Sequence, residues 1–228
     1  MQNIHTIDSI YTINDSNELL LKDNNGNTIL HNLPSKILDG TVSKINNLEQ
    51  FITKESLLIT NKNGEYPIDI GINGINAING INASNNSVIT YLQTLLQKSN
   101  EFGIKYEEHI DLSKRMHPLH MMIISNKVPH NLNIVKMFID CCPNTYNLNV
   151  VYNCDGIDET PLVTALKVYH PKEIKTLLEC GADSNLGSLN FITLLKNIVN
   201  DLIKVGLQRE SHQKAYNKLI KIQNELVC

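Results

Sequence analysis

Apolar residues recur at helical spacing in four segments of the chain. Spacings of three and four residues place these side chains on one face of an α-helix, so each segment predicts an amphipathic helix. A shorter segment with the signals of a helix start stands before each of them. The apolar positions are Ile45, Leu48, Phe51 and Ile52; Val88, Tyr91, Leu92, Leu95 and Leu96; Ile134, Val135, Phe138 and Ile139; and Ile174, Leu177 and Leu178.

The clearest helix start is Thr160-Pro161-Leu162, because Thr caps a helix and Pro is tolerated at its first position. Similar sequences stand at 116–120, 66–69 and 28–31, at successive intervals of 43, 51 and 38 residues, and Thr193 follows Thr160 by 33 residues. The pattern predicts a recurring unit of turn, short helix, loop and longer helix. Pairs suited to tight turns precede three of these starts: Asn25-Gly26, Asn63-Gly64 and Asp155-Gly156.

At these residues the chain resembles ankyrin-repeat proteins. Their unit opens with a Gly-x-Thr-Pro-Leu-His-like turn and helix and ends with Leu-Leu-x-x-Gly-Ala-Asp-x-Asn. Residues 156–162 with 177–185 match this pattern closely, and residues 117–120 with 134–140 match it well. More degenerate copies stand at 64–70 and 26–31.

The resemblance covers residues 23–195, but the repeat intervals exceed the usual length of the family. Lengthened, irregular repeats look like those of ankyrin proteins from large DNA viruses and some intracellular microbes. The 31 Asn and 29 Ile residues agree with an AT-rich genome. Many surface Asn residues are therefore expected to reflect codon bias and to have no role.

The predicted fold is all-α, an ankyrin-like helical repeat solenoid with a helical C-terminal cap. Short helix pairs cannot bury both faces alone, so neighbouring repeats must stack, and a solenoid needs polar-faced caps. We expect an N-terminal cap at 1–22, built on a weaker helix over 4–21, and repeats at 23–187. The segment 188–228 predicts two capping helices, 189–205 and 209–226, hinged at Gly206.

The segment 71–86 lies outside the repeat unit. It is a Gly-Ile-Asn-rich insertion whose Ile residues share a face only if the backbone turns with a period of three. One interpretation, which we favour, is an expansion tolerated in a loop. The other is a projecting finger that contacts a partner.

Composition restricts the class of protein. The apolar share of 42% and the charged share of 19% are typical of a folded soluble protein. Neither an apolar run of about 18 residues nor a secretory signal is present, which predicts a cytoplasmic or nuclear protein, in the host cytoplasm if the source is a virus. The five Cys residues fit reduced thiols there. The net charge of −3 gives no reason to expect nucleic acid.

Catalytic and metal-binding signals are poor. No phosphate-binding loop, nucleophile elbow or zinc-protease motif occurs. His117, His120, Cys141 and Cys142 have the right atoms for zinc, but adjacent Cys residues point apart and no matching CxxC is present. We therefore expect no enzyme activity, no cofactor and no metal. The resemblance implies instead that His120, and His31 in the same way, bonds the backbone of the neighbouring turn.

The resemblance implies a protein–protein interaction module that binds on the concave face of stacked repeats. The expected partner is another protein, a host protein if the source is viral, with no small-molecule substrate, nucleic acid or membrane. The alternative is an assembly subunit that docks into a larger complex through its basic C-terminal helices. Asp155, Asp158 and Glu159 are expected at a turn tip, as solvated acids or as contacts to a basic partner. The residues predicted to contact a partner are Lys62, Glu65, Lys114, Arg115, Asp158 and Glu159.

Overall fold

The computed structural model is mostly helical and divides into two compact units. The first unit is 1–105, 125–132 and 137–146, and the second is 106–124, 133–136 and 147–228. Among the residues that the structure describes, no helix has both the length and the apolar character needed to cross a membrane. The described residues are 10–42, 44–46, 48–76, 83–124, 133–143, 145–154, 156–168, 170–187, 191–204, 213, 217, 219–222 and 224.

The first unit is built around three helices that pack on one another, α1, α4 and α5. A short 3₁₀ helix, Ser16–Leu20, precedes them, and a pair of three-residue parallel strands joins residues 10–12 to residues 44–46. The elements are β1 (Ile10–Thr12), α1 (Ile29–Leu38), β2 (Lys44–Asn46), α2 (Leu48–Phe51), α3 (Lys54–Leu58), α4 (Pro67–Asn76) and α5 (Ala83–Glu101).

The second unit packs α8 against α6, α9 and α10. A two-stranded antiparallel hairpin precedes α8 and leads directly into it. Residues 137–141 of α7 belong to the first unit, although the helix begins in the second. The elements are a 3₁₀ helix (Tyr106–Glu108), α6 (Pro118–Ile124), α7 (Ile134–Cys141), β3 (Tyr152–Cys154), β4 (Ile157–Glu159), α8 (Pro161–Lys167), α9 (Pro171–Glu179) and α10 (Phe191–Lys204).

The structure confirms four of the five predicted helix starts. Helices begin at Ile29, Pro67, Pro118 and Pro161. These are the residues that directly follow the predicted cap positions Thr28, Tyr66, His117 and Thr160. The Thr160 hydroxyl accepts a hydrogen bond from the Val163 amide at 3.3 Å, which is the cap predicted from the sequence. The fifth predicted start is wrong, because Thr193 lies inside α10 and not at its beginning.

Two further expectations are corrected. Ile45, predicted to lie in a helix, belongs to β2, and the helix predicted over 45–52 is replaced by this strand and the short α2, with α3 following. The N-terminal helix is also wrong where the structure describes it, because 10–12 form a strand and 16–20 form a 3₁₀ helix. Most of the predicted helix 209–226 lies outside the described residues, as do 1–9, Ile78 and Ile81.

The first part of the Gly-Ile-Asn insertion is not a loop. Residues 71–76 form the C-terminal half of α4, and Ile72 and Ile75 are completely buried in the first unit. A Cβ atom at Gly74 would lie 2.9 Å from the Cβ of Pro34 in α1. Glycine is therefore required at position 74 for α4 to pack against α1.

Helix α1 contains a proline whose missing hydrogen bond is replaced. Pro34 has no N–H to donate to the carbonyl of Leu30, four residues earlier. The buried hydroxyl of Tyr91, from α5, donates to this carbonyl at 2.5 Å. An unpaired buried carbonyl is thereby avoided, and α1 is joined to α5.

Candidate interaction surface

Two tight turns of the first unit have the same internal structure. The Asp23 carboxylate accepts hydrogen bonds from the amides two and four residues later, at 2.8 and 2.9 Å. The Asn61 side-chain oxygen does the same, at 2.9 and 3.0 Å. Gly26 and Gly64 supply the positive φ angles, +75° and +76°, that close the turns. We call residues 23–27 turn 1 and residues 61–65 turn 2.

Turns 1 and 2 are joined backbone to backbone. The Lys62 amide donates to the Asn25 carbonyl at 3.0 Å, and the Asn61 side-chain amide donates to the Asn27 side-chain oxygen at 3.0 Å. Close by, the Lys22 ammonium donates to the carbonyl of Thr60 at 3.0 Å. These bonds fix the position of one turn against the other.

His31 adds a buried bond beneath the same two turns. Its Nδ1 accepts from the Thr28 amide at 3.1 Å and lies 2.9 Å from the Thr28 hydroxyl, so the ring proton is on Nε2. Nε2 donates to the Glu65 carbonyl at 3.0 Å, the bond that the resemblance predicted for this histidine. Burial lowers the pKa of His31, against the opposing effects of the Glu65 bond and charge, so the ring is neutral at pH 7.

Turns 1 and 2 border an open, polar cleft of about 350 Å³. Lys62 is exposed, and its ammonium has no ion-pair partner among the residues that the structure describes. Glu65 is half-buried, and its carboxylate accepts from the Asn61 side chain at 2.9 Å. The cleft is lined by Asn25, Asn27, Asn61, Lys62, Asn63 and Glu65, together with His31 and Ile70.

In the second unit, the turn 111–116 carries two of the predicted contact residues. Lys114 is exposed and forms an ion pair with Asp111 at 2.8 Å. The bonds from Lys114 and Ser113 lower the pKa of Asp111 to about 2. Arg115 is half-buried, and its Nη2 atom is shielded from solvent. Lys114 therefore projects from this turn, whereas Arg115 lies partly within it.

The hairpin β3–β4 lies beside the turn 111–116. The Asn153 amide donates to the Leu112 carbonyl at 3.1 Å, and the Asn153 side chain donates to the Asp158 carboxylate at 2.7 Å. Asp158 is half-buried near the hairpin tip, where Gly156 has a φ of +82°. Lys114 and Asp158 are thus brought to neighbouring turns of one unit. Asp155 lies outside the described residues.

The prediction that Glu159 lies solvated at a turn tip is wrong. Its exposed fraction is 8%, and its carboxylate forms an ion pair with Lys167 at the end of α8. Its carbonyl accepts a hydrogen bond from His120 Nε2 at 3.1 Å, as the resemblance predicted for this histidine. Glu159 directly precedes a helix cap, where both the side chain and the carbonyl turn toward the protein interior.

Two histidines of the second unit, His117 and His120, form a buried pair. His117 Nδ1 accepts from the Leu119 amide at 3.1 Å, so its Nε2 proton points toward the Glu107 carboxylate, 3.5 Å away. Burial opposes ionisation of Glu107, but hydrogen bonds from His117 and Asn147 lower its pKa overall. Burial and the nearby His117 ring lower the pKa of His120 to about 3. His120 is therefore neutral at pH 7.

Among the described residues, no group of three or more His, Cys, Asp or Glu side chains is placed to hold a metal ion. The Cys142 thiol donates to the Leu96 carbonyl at 3.4 Å within the first unit. Burial raises the pKa of Cys142 to about 12, which disfavours the thiolate needed for nucleophilic or metal chemistry.

Sequence reasoning missed the asparagines as structural residues. The side chain of Asn61 makes four hydrogen bonds within and between turns 1 and 2, and the side chain of Asn153 joins the two strands of the hairpin. Asn147 accepts from the amide of Asn149, which in turn accepts from the Asp183 amide at 2.8 Å. An Asp or Asn followed two residues later by Asn is the signal that could have identified these turns.

A scan against protein-family models gives no match for this sequence, and a search of curated proteins gives none. Several features recur along the chain itself. These are the helix starts after Thr28, Tyr66, His117 and Thr160, the joined turns, and the two histidine bonds. Each of these observations lies within one unit.

Proposed function

We propose that the protein is a non-catalytic protein–protein interaction module, an ankyrin-like helical repeat solenoid that binds a partner protein through its turns. The observation that carries this proposal is a turn-to-turn contact that occurs in both units. His31 bonds the carbonyl of residue 65 in the first unit, and His120 bonds the carbonyl of residue 159 in the second. In each case the accepting residue directly precedes the next helix cap.

A backbone bond accompanies each histidine bond. The Lys62 amide donates to Asn25 in the first unit, and the Asn153 amide donates to Leu112 in the second. The backbone of turns held in this way loses little conformational freedom when a partner binds. The turns therefore form a preorganised surface, which favours recognition.

The charged groups on these turns can contribute to binding because the fold does not need them. Lys62 is exposed beside the cleft, and the Lys114 pair with Asp111 is solvent-exposed, so neither ammonium is an important source of stability. Carboxylates on the partner are the complementary groups. In the first unit the half-buried Glu65 accompanies Lys62, and in the second unit Asp158 and the half-buried Arg115 accompany Lys114. Glu159 is left out of the proposal.

The experiment first locates the contact with the partner by crosslinking and then measures the affinity of the purified partner. A photo-crosslinking residue is placed at Lys62 or at Lys114 in the full chain, and at Lys54 as a matched exposed position at the start of α3. Crosslinking from positions 62 and 114, but not from 54, identifies a partner that is then purified. Lys62→Glu and Lys114→Glu are each expected to weaken binding of that partner roughly tenfold, or about 1.4 kcal/mol.

The control is Lys54→Glu, which should bind the partner as the wild type does. All three variants should keep the thermal unfolding temperature of the parent protein, because the three lysines are exposed. Unchanged affinity after both turn substitutions would remove the turns from the binding surface.

The alternative, docking through the C-terminal helices, has less support. Leu195, Ile198 and Val199 of α10 are buried, and α10 packs against α8 within the second unit. Because the apolar face of α10 is already buried within the second unit, we favour the interpretation of this helix as a cap. Deletion of 188–228 distinguishes the two: loss of folding indicates a cap, whereas a folded protein that no longer joins its complex indicates a docking element.

A further inference from the structure

The chain contains four Asn-Gly pairs, at 25–26, 63–64, 73–74 and 79–80. In such a pair the glycine amide nitrogen can attack the side-chain carbonyl of the asparagine, because glycine has no Cβ to hinder the approach. The attack requires the backbone to leave its folded conformation locally, so the surroundings of each pair decide its rate. The pair 79–80 lies outside the described residues.

The pair Asn73-Gly74 is protected by a helix. Both residues lie inside α4, between the completely buried Ile72 and Ile75. The Cα of Gly74 is packed so closely that an added Cβ would lie 2.9 Å from Pro34. Attack at this pair requires α4 to separate from α1, although the Asn73 side chain is itself exposed.

The pair Asn25-Gly26 is held by the neighbouring turn. The Asn25 carbonyl accepts the Lys62 amide at 3.0 Å, and Gly26 is buried. A Cβ built on Gly26 would lie 3.0 Å from the Lys62 nitrogen and 3.3 Å from the Lys62 Cγ. The backbone here can rearrange only after turn 1 separates from turn 2.

The pair Asn63-Gly64 occupies the same position in turn 2 but lies at the surface. Both residues are exposed, and a Cβ built on Gly64 meets no described atom within 4 Å. The Gly64 amide donates to the Asn61 carbonyl at 3.0 Å, a bond internal to the turn. This bond joins two residues of the same turn, whereas Asn25 is held by a bond from the neighbouring turn.

We propose that Asn63 is a site of spontaneous deamidation, selected by the fold from the Asn-Gly pairs that the structure describes. The Gly64 nitrogen forms a bond to Cγ of Asn63, and the bond from Cγ to Nδ2 breaks. Nδ2 leaves as ammonia with the Gly64 amide proton, so that a cyclic imide forms. Water then opens the imide at one of its two carbonyls, which gives aspartate or isoaspartate.

The product changes the charge of the polar cleft. A carboxylate replaces the Asn63 amide between Lys62 and Glu65, which both line the cleft. The new carboxylate attracts the Lys62 ammonium and repels carboxylates on a partner. This consequence for binding rests on the proposed function, whereas the deamidation itself does not.

The experiment follows conversion in the full chain during incubation in mildly alkaline buffer, with and without urea. Peptide mapping by mass spectrometry detects the mass gain from replacing NH₂ by OH at each asparagine, and an isoaspartate assay identifies the second product. In the folded protein, Asn63 should convert several-fold faster than Asn25 and Asn73. In urea the differences should disappear. Asn63→Gln, which keeps an amide but does not readily cyclise, should stay unmodified at position 63.

Two results overturn the proposal: conversion of Asn25 or Asn73 as fast as Asn63 in the folded protein, or an unchanged Asn63 over a period in which the urea sample converts. The charge effect is tested separately with Asn63→Asp and Asn63→Gln. Several-fold weaker partner binding by the Asp variant than by the Gln variant supports the effect, and equal binding overturns it. Neither binding result alters the mass-spectrometric one, so failure of the proposed function and failure of the deamidation are distinguishable.

Discussion

His31 in the first unit and His120 in the second make the same hydrogen bond, to the carbonyl that precedes the next helix cap, but their other ring nitrogens differ. His31 Nδ1 accepts from the amide of Thr28 and lies within hydrogen-bond distance of its hydroxyl. His120 Nδ1 is buried and has no hydrogen-bond partner among the described residues. The residue three positions earlier is Thr28 in one unit and His117 in the other.

The difference shows how a substitution at one position changes the electrostatics of a shared contact. His117 uses its own Nδ1 to accept from the Leu119 amide and directs Nε2 to Glu107, so it makes no hydrogen bond to His120 Nδ1. Near His31 the Glu65 charge favours protonation, whereas near His120 the His117 ring opposes it. The two bonds have similar lengths, 3.0 and 3.1 Å, but the second depends more strongly on a neutral ring.

The largest expected effect is therefore an acid sensitivity centred on His120. Its pKa is about 3 in the folded protein and about 6.5 in the unfolded chain. Between these values the unfolded chain binds one more proton, so stability falls as pH drops below the unfolded pKa. At about pH 4.5 the loss is roughly 3 kcal/mol relative to neutral pH. Urea unfolding of the wild type and of His120→Gln at both pH values measures it.

His120→Gln should lose most of this pH dependence of the unfolding free energy, whereas His31→Gln should lose a smaller part of it. Hydrogen exchange, corrected for its intrinsic pH dependence, reports each unit separately through the Asn153 and Lys62 amides that join their turns. Acid should reduce protection at Asn153 more than at Lys62. An equal loss in both units would show that His120 is not the origin.

The second effect concerns helix α1, which supports the His31 contact. Tyr91→Phe removes the hydroxyl that donates to the Leu30 carbonyl and leaves this carbonyl unpaired beside Pro34. The expected loss is about 1.5 kcal/mol of unfolding free energy. In a Pro34→Ala background the residue 34 amide can donate to the same carbonyl, so the cost of Tyr91→Phe should fall to about half. A cost independent of residue 34 would contradict this account of the tyrosine.

The smallest effect tests the threonine that distinguishes the two histidines. Thr28→Val keeps the shape of the completely buried side chain and removes its hydroxyl from His31 Nδ1. We expect a loss of about 1 kcal/mol in urea unfolding. Thr160→Val is the matched control, because Thr160 caps α8 without a histidine at the third helical position. If both variants cost the same, the Thr28–His31 bond adds nothing beyond the cap.

The features predicted correctly from the sequence are those set by neighbouring residues. The start of α8 at Pro161 and the end of α9 at Glu179, two residues before Gly181 with its φ of +92°, follow from caps that act within one turn. The buried face of α5 follows from its helical period. The bonds of His31 and His120 were expected only because the repeat resemblance placed a turn beside each.

The errors occurred where distant residues decide the local structure. Ile45 has the spacing of a helix, but pairing with Tyr11 places it in a strand. Glu159 has the composition of a turn tip, but its carboxylate reaches Lys167 eight residues later. Asparagine abundance concealed the roles of Asn61 and Asn153, because composition does not show which amides face a neighbouring turn. Lys62 and Lys114 remain predicted contact residues, each in its own unit, because both are exposed.

Because of the close contact between Gly74 and Pro34, gaining a Gly-Ile-Asn unit and losing one have different structural consequences. Residues 71–79 read Gly-Ile-Asn, Gly-Ile-Asn, Ala-Ile-Asn. Replication slippage that adds a Gly-Ile-Asn unit leaves the sequence of residues 71–76 unchanged, so the three added residues come after α4 in the sequence. Slippage that removes one brings alanine to position 74, where its Cβ would lie 2.9 Å from Pro34. The tract can therefore lengthen in evolution more readily than it can shorten.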